Sequence, residues 1–322
     1  MTAVLQHRQP VVLCPFPSAS SPYAEQVQQT TMAWANDFTL IRSRRAHERL
    51  NRLQYGSFMG LAYPNAPATT LKLIADWNTW LFLLDDEFDE HELGCKPHDL
   101  ARLHKRLLAI MRGAMPCASE DTRYHALHDL TTRFKAQSSD AWRCRFVRCV
   151  EASFAASVWE AHNRAARRIP FESEYLHMRP FTSAVFCFLN LIEIAEDFTL
   201  PAALRQHPTM RSLSLMTNNI ISWFNDLISY PKEIERGDVH NLVYIVHHER
   251  GISLDNAVQY VVRKHDAEVR AFQRGCAGLP TRSQQHARLA QLYATGLQTW
   301  IRANLDWSIA TARYQPGFSH QK

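Results

Sequence analysis

From about Tyr23 onward, apolar residues return every three or four positions with polar residues between them, the period of an α-helix with one face turned inward. Strictly alternating stretches, the mark of a half-buried strand, are scarce. The pattern predicts helices over residues 23–45, 46–61, 68–90, 97–112, 120–137, 141–167, 179–196, 210–232, 254–275 and 283–311, parted by short segments carrying Pro, Gly or Asn. The sharpest break is Pro64-Asn65-Ala66-Pro67, where two prolines bracket a turn and the second stands just ahead of a helix. Residues 71–84 and 184–195 are apolar on most faces, which places them at the centre of a bundle around an apolar pocket. There is no repeat of solenoid length, no low-complexity tract and no linker. The expected architecture is therefore all-α and single-domain: a helical bundle with a central apolar cavity over 23–314, a flexible leader over 1–22 and a tail over 315–322.

Composition narrows what such a bundle does. Of 322 residues, 46% are hydrophobic and 21% charged, enough apolar material for a sizeable core. The 10 glycines are scattered and form neither Gly-x-Gly-x-x-Gly nor a Walker-type loop, so the glycine-built nucleotide sites lack their sequence basis. The net charge of +5 comes from residues spread along the chain, without the basic block of a nucleic-acid tail, and no nucleic-acid partner is expected. Seven cysteines, odd in number and without a Cys-x-x-Cys pair, fit a reducing cytoplasm. His7, Arg8, Gln9 and Pro10 interrupt the first residues, so a secretion signal is not expected. The most apolar windows, 80–84 and 184–195, run into carboxylates or are broken by Asn190 and Glu193, short of the ~20 residues of a transmembrane helix.

Candidate chemistry begins where an apolar helical run meets acid, at Leu83-Leu84-Asp85-Asp86-Glu87-Phe88-Asp89. Asp89 follows Asp85 by four residues and Asp86 by three, so on a helix the three carboxylates share a face. Like charges so placed repel unless a cation lies between them. Hard oxygen ligands favour Mg²⁺, which takes one or two carboxylates and completes its shell with water and phosphate oxygens. Taken alone, the same spacing also describes an acidic helix end in solvent.

A second constellation follows at Asn225, Ser229 and Glu233. Steps of four residues turn about 40° on a helix, so an amide, a hydroxyl and a carboxylate line one stripe of oxygen donors. Lys232 adds a cation beside it, and Pro231 is expected to bend or stop the helix near Lys232.

Together these residues resemble the class I terpene synthases, in particular their bacterial single-domain members. Asp85-Asp86-x-x-Asp89 matches the family's aspartate-rich motif, and Asn225, Ser229, Lys232 and Glu233 match its Asn-x-x-x-Ser-x-x-x-Glu motif with the usual lysine. The two stand 140 positions apart, a familiar interval in such enzymes. Arg179, 46 residues before Asn225, falls where the family carries its diphosphate-sensing arginine. Ser183 stands where many relatives have a helix-breaking glycine whose carbonyl helps to trigger ionisation. Arg313-Tyr314 looks like the Arg-Tyr pair that closes over the diphosphate, and Trp307 like an aromatic wall of the hydrocarbon pocket.

The resemblance implies a helical bundle holding three Mg²⁺ ions, and a prenyl diphosphate whose diphosphate leaves to give an allylic cation. Farnesyl diphosphate is the expected substrate, with geranylgeranyl diphosphate the alternative, and a homodimer is common among similar enzymes. Arg179, Lys232, Arg313 and Tyr314 are the expected diphosphate donors. Phe58, Trp77, Phe82, Phe181, Trp223 and Trp307 are the candidate walls, because aromatic faces stabilise a cation by ~0.5 to 2 kcal/mol. A chain-elongating prenyltransferase would carry a second Asp-Asp-x-x-Asp, which this sequence lacks. A di-iron bundle needs two Glu-x-x-His pairs on facing helices, and only Glu174-Tyr175-Leu176-His177 fits. A silent helical scaffold would have lost main ligand positions, and none is lost here.

Overall fold

Short polar side chains set many helix starts by accepting from backbone N–H groups that the first turn leaves unpaired. Ser43, Asp121, Ser139, Asn241, Ser253 and Ser283 each do so one residue ahead of a helix. The computed structural model describes residues 10–90 and 93–314, without the side chains of 86–90. The helices are α1 (Ala24–Asp37), α2 (Arg44–Leu53), α3 (Tyr55–Ala62), α4 (Ala68–Glu90), α5 (Pro97–Met111), α6 (Thr122–Gln137), α7 (Asp140–Ala165), α8 (Glu172–Thr182), α9 (Val185–Ala195), α10 (Ala202–Arg205), α11 (Pro208–Glu235), α12 (Leu242–Arg250), α13 (Leu254–Ala277) and α14 (Gln284–Ala310). A 3₁₀ turn, Ala312–Tyr314, follows α14. Among the described residues there is no strand.

Three predicted helices divide, each at a left-handed residue that periodicity does not reveal. The helix expected over 23–45 ends at Asp37, with Thr39 at φ +53°, before Ser43 caps α2. The one expected over 46–61 breaks at Gln54, at φ +54°, whose backbone and side-chain nitrogens both donate to the Asn51 carbonyl. That break lets α3 lie hard against α1: a Cβ on Gly56 would stand 2.5 Å from the Cα of Gln28. The one expected over 179–196 breaks at Ala184, at φ +56°, and its first half begins earlier, at Glu172. Pro231 does not stop α11 near Lys232, since the helix runs on to Glu235. So near the end of a helix, proline removes only one backbone bond. The leader expected to be flexible lies, from residue 10 on, against the bundle. Leu13 N donates to Asp266, Phe16 meets the edge of Phe272 at 5.6 Å, and Ser21 N donates to the Gly60 carbonyl.

The two runs read as apolar on most faces are central. Leu71, Ile74, Trp77 and Trp80 of α4 and Leu189, Leu191 and Ile192 of α9 are buried in the main core. Burying each such side chain contributes roughly 1.5–3 kcal/mol. A second core joins Tyr175, Trp223 and Leu227 to Leu242, Val243 and Val246 of α12. α11 runs between the two cores and packs on α8, α9, α12, α13 and α14. Glu172–Ala195 is the stretch long and apolar enough to cross a membrane by length and composition, but half of its apolar window is buried in the protein and Ala184 breaks it.

Candidate active site

One cavity of about 1330 Å³ opens between α4, α7, α8, α9, α11 and α14. Asp85 on α4 lines it from one side, and Asn225, Ser229, Lys232 and Glu233 on α11 from another. The side chains of Asp86 and Asp89 lie outside the described residues. Arg179, Ser183, Arg313 and Tyr314 line the same space.

Asn225 is held on both ends of its amide. Its Oδ1 accepts from Arg179 Nη2 at 2.9 Å, and its Nδ2 donates to the Tyr314 hydroxyl at 2.7 Å. Arg179 Nη2 donates in addition to Asp226 Oδ1 at 2.7 Å, an ion pair whose carboxylate is 1% exposed. Burial disfavours the charge on Arg179, but the Asp226 carboxylate, with Tyr175, Glu160 and Glu233 behind it, more than restores it and the guanidinium stays protonated. Burial pushes the Asp226 carboxyl up against the pull of Arg179. The Tyr175 hydroxyl at 3.0 Å and Leu242 N at 3.2 Å satisfy its other oxygen.

Lower on the stripe, the Ser229 hydroxyl donates to the Asn225 carbonyl at 2.7 Å. Glu233 Oε2 accepts from Asn241 Nδ2 at 2.7 Å, and burial with the nearby Asp238 and Asp226 carboxylates pushes the Glu233 carboxyl up to about 7. Asp238 goes the other way: burial would raise it, but the bond from His240 and the charge of Arg164 hold it below the usual carboxylate range. An amide, a hydroxyl and a carboxylate crowded by like charge form a hard oxygen donor set that a divalent cation would relieve, and the residues present fit Mg²⁺.

The C-terminal 3₁₀ turn reaches both sides. Arg313 Nη1 donates to the Tyr55 hydroxyl at 2.9 Å, its guanidinium lies 4.9 Å over the Phe82 ring, and its Nη2 is 3.9 Å from Asp85 Oδ2. Two adjacent residues thus touch Asp85 across the mouth and Asn225 opposite. Below them the wall is aromatic: Phe58 stacks on Trp307 at 4.4 Å, and Phe82 on Tyr55 at 4.5 Å.

Three of the six expected walls are elsewhere. Trp77 stacks on Trp80 in the core, 1% exposed, because it stands five residues before Phe82, about 140° around α4. Trp223 lies in the second core beneath the Lys264 ammonium, and Phe181 points outward, 36% exposed. Each is two residues from a cavity-lining partner, Asn225 or Arg179, and so about 200° away on its helix. Phe188 and Trp300 line the cavity instead.

Sequence reasoning also missed the residues that hold the lining groups. Asn218, two helical turns before Asn225, accepts from the hydroxyls of Ser183 and Ser222 and donates to the Pro180 carbonyl at 2.8 Å. It thereby pins the break at Ser183 and Ala184 to α11. Asn241 caps α12 with its oxygen and binds Glu233 and the Asp226 carbonyl with its nitrogen. The available signal was position: Asn218 continues the Asn225 stripe, and Asn241 precedes an apolar run as a cap does.

Comparison with known proteins agrees with this geometry. Residues 76–271 match the family model described as terpene synthase family 2, C-terminal metal binding. A (+)-T-muurolol synthase of Roseiflexus castenholzii, described as cyclising (2E,6E)-farnesyl diphosphate, is 40% identical over 96% of this chain and 94% of its own length. A germacrene A synthase of Nostoc punctiforme is 35% identical over 95% and 94%. The crystal structure of germacradien-4-ol synthase from Streptomyces citricolor superposes with a TM-score of 0.82 at 27% identity, over 93% of this chain and 98% of that one.

Proposed function

The chain belongs to the terpene synthase family, and from that membership we propose that it ionises farnesyl diphosphate and cyclises the resulting cation to a sesquiterpene, releasing diphosphate as a carbon–oxygen lyase. The observation that carries this is the reach of Arg313 and Tyr314 to Asp85 and Asn225 at the mouth of one aromatic-walled cavity. The names of its relatives support farnesyl diphosphate over longer chains.

Asp85, Asp86 and Asp89 on one side and Asn225, Ser229 and Glu233 on the other are the assigned holders of Mg²⁺, three ions per site. When bound, the metal neutralises the leaving diphosphate, so ionisation needs no acid from the protein. The chain's own part is to bind, aim and exclude. Arg179, Lys232 and Arg313 donate charge-assisted hydrogen bonds to diphosphate oxygens, and the Tyr314 hydroxyl donates another. In the present arrangement Arg179 holds the Asn225 oxygen, so it must turn from that amide when it engages diphosphate. The break at Ser183 and Ala184 frees backbone groups from helical pairing beside the bond that ionises. Phe58, Phe82 and Trp307, with Phe188 and Trp300, offer ring faces to the cation and keep the diphosphate end dry.

Incubation with the ten-, fifteen- and twenty-carbon diphosphates and Mg²⁺, with and without isopentenyl diphosphate, tests the proposal by gas chromatography and mass spectrometry. The expected result is a fifteen-carbon cyclic terpene from farnesyl diphosphate alone. A longer diphosphate formed only with isopentenyl diphosphate would make the protein a chain-elongating transferase, and a twenty-carbon cyclic product would make it a diterpene synthase.

A further inference from the structure

The cavity wall holds a buried amide that the described residues leave unsatisfied. Asn78 borders the cavity at 0% exposure, and among the described residues neither its Oδ1 nor its Nδ2 has a hydrogen-bond partner. It stands four residues before Phe82 and seven before Asp85, on the stripe of α4 that faces the cavity. A buried polar group without a partner costs roughly 1–3 kcal/mol, and native proteins satisfy almost all such groups with protein or with water. A leucine here would fill similar space without that cost, so the amide has something other than packing to meet.

A second amide lies close in height. Asn304 borders the same cavity on α14, three residues before Trp307, and is 8% exposed. Phe82 and Trp307 stand 6.2 Å apart, and Arg313, just past α14, is 3.9 Å from Asp85. The two helices therefore climb toward the mouth together, and both asparagines sit about one turn below the Phe82–Trp307 contact. Phe58, Phe188 and Ile221 line the same cavity.

We propose that Asn78, with Asn304, holds a water molecule against the hydrocarbon chain, so that the main product is a sesquiterpene alcohol. An amide is suited to this, because Oδ1 accepts one water hydrogen and orients the oxygen, yet is too weak a base to take a proton from the cation. A lone pair of the water oxygen forms the new C–O bond to the cationic carbon. One water O–H bond then breaks, its electron pair stays on oxygen, and the proton passes to the released diphosphate. The net change is capture of one water with no oxidation or reduction, and it rests on the ionisation proposed above.

The experiment is product analysis with farnesyl diphosphate and Mg²⁺ in ¹⁸O-water, for the wild type, Asn78→Leu and Asn304→Leu. The readout is the ratio of alcohol to hydrocarbon among the products, which does not depend on total turnover. The wild type is expected to give mainly an alcohol carrying the label, and Asn78→Leu to lower that ratio about tenfold or more, the scale of one lost hydrogen bond. Hydrocarbon as the wild-type main product, alcohol without label, or an unchanged ratio in Asn78→Leu overturns the inference. Should Asn78→Leu fail to fold by circular dichroism, Asn304→Leu decides, and an unchanged ratio there overturns it equally. No diphosphate release by the wild type would remove the proposed function itself and this inference with it; release with hydrocarbon alone removes only the inference.

Discussion

The Tyr314 hydroxyl and the Asn225 amide meet at 2.7 Å, joining the turn that closes the described chain to the middle of α11, 89 residues earlier. Burial pushes the Tyr314 hydroxyl above its ordinary range, so it stays protonated and remains a donor for an anion. The bond also fixes the nitrogen end of Asn225, which leaves its oxygen turned to Arg179.

Tyr314→Phe removes that hydroxyl alone. We expect kcat/KM for farnesyl diphosphate to fall about tenfold, as one lost hydrogen bond to a charged group does, with the helical circular dichroism unchanged. A continuous diphosphate-release assay reads it, and an unaltered kcat/KM would remove Tyr314 from the diphosphate donors.

Asp85→Ala and Asn225→Ala each delete an oxygen donor at the cavity mouth. Turnover should drop by about a hundredfold or more, the usual size of losing a group that stabilises developing charge. Full activity that still requires Mg²⁺, in either variant, would reject the assignment of both stripes.

Asn218→Leu tests the node that ties the helix break to α11. Three hydrogen bonds are lost, the Ser222 hydroxyl loses its acceptor and that of Ser183 keeps only its longer bond to the Pro180 carbonyl, which should cost about 3 kcal/mol in denaturant unfolding. Because the break at Ser183 then loses its anchor, kcat should fall more than KM changes. A stable, fully active variant would show that the break holds without Asn218.

His104 lies outside the cavity, stacked on Phe154 with ring centroids 4.0 Å apart, and burial lowers its pKa from the ordinary 6.5 to about 4. The folded state thus disfavours the proton: its stability is complete above the unfolded value of 6.5 and is lost as the pH falls toward 4. At pH 5 the loss amounts to about 2 kcal/mol. In His104→Phe, which keeps a stacking ring, the drop in Tm between pH 7 and pH 5 should shrink; an identical drop would place the pH dependence elsewhere.

The arrangement of amino acids along the chain makes the helices legible wherever an apolar stripe is long, as over 68–90 and 254–275, because a period of 3.6 needs no knowledge of neighbours. It hides α8, whose first turn is acidic, and α12, which has only 9 residues, and it hides the breaks at Thr39, Gln54 and Ala184. Those residues take a left-handed conformation that their types do not announce, and the packing of the flanking helices selects it.

By itself the sequence determined that Asn225, Ser229 and Glu233 share one stripe, since steps of four on a helix line them up whatever surrounds them. Only the tertiary structure decided which aromatic rings wall the cavity, which carboxylate steadies Arg179, and that Arg313 and Tyr314 reach Asp85 and Asn225. The physical reason is range. A stripe is fixed by rotation along one helix, whereas a wall is fixed by the angle at which a helix meets its neighbours, and a shift of two residues turns a side chain from the cavity to the core.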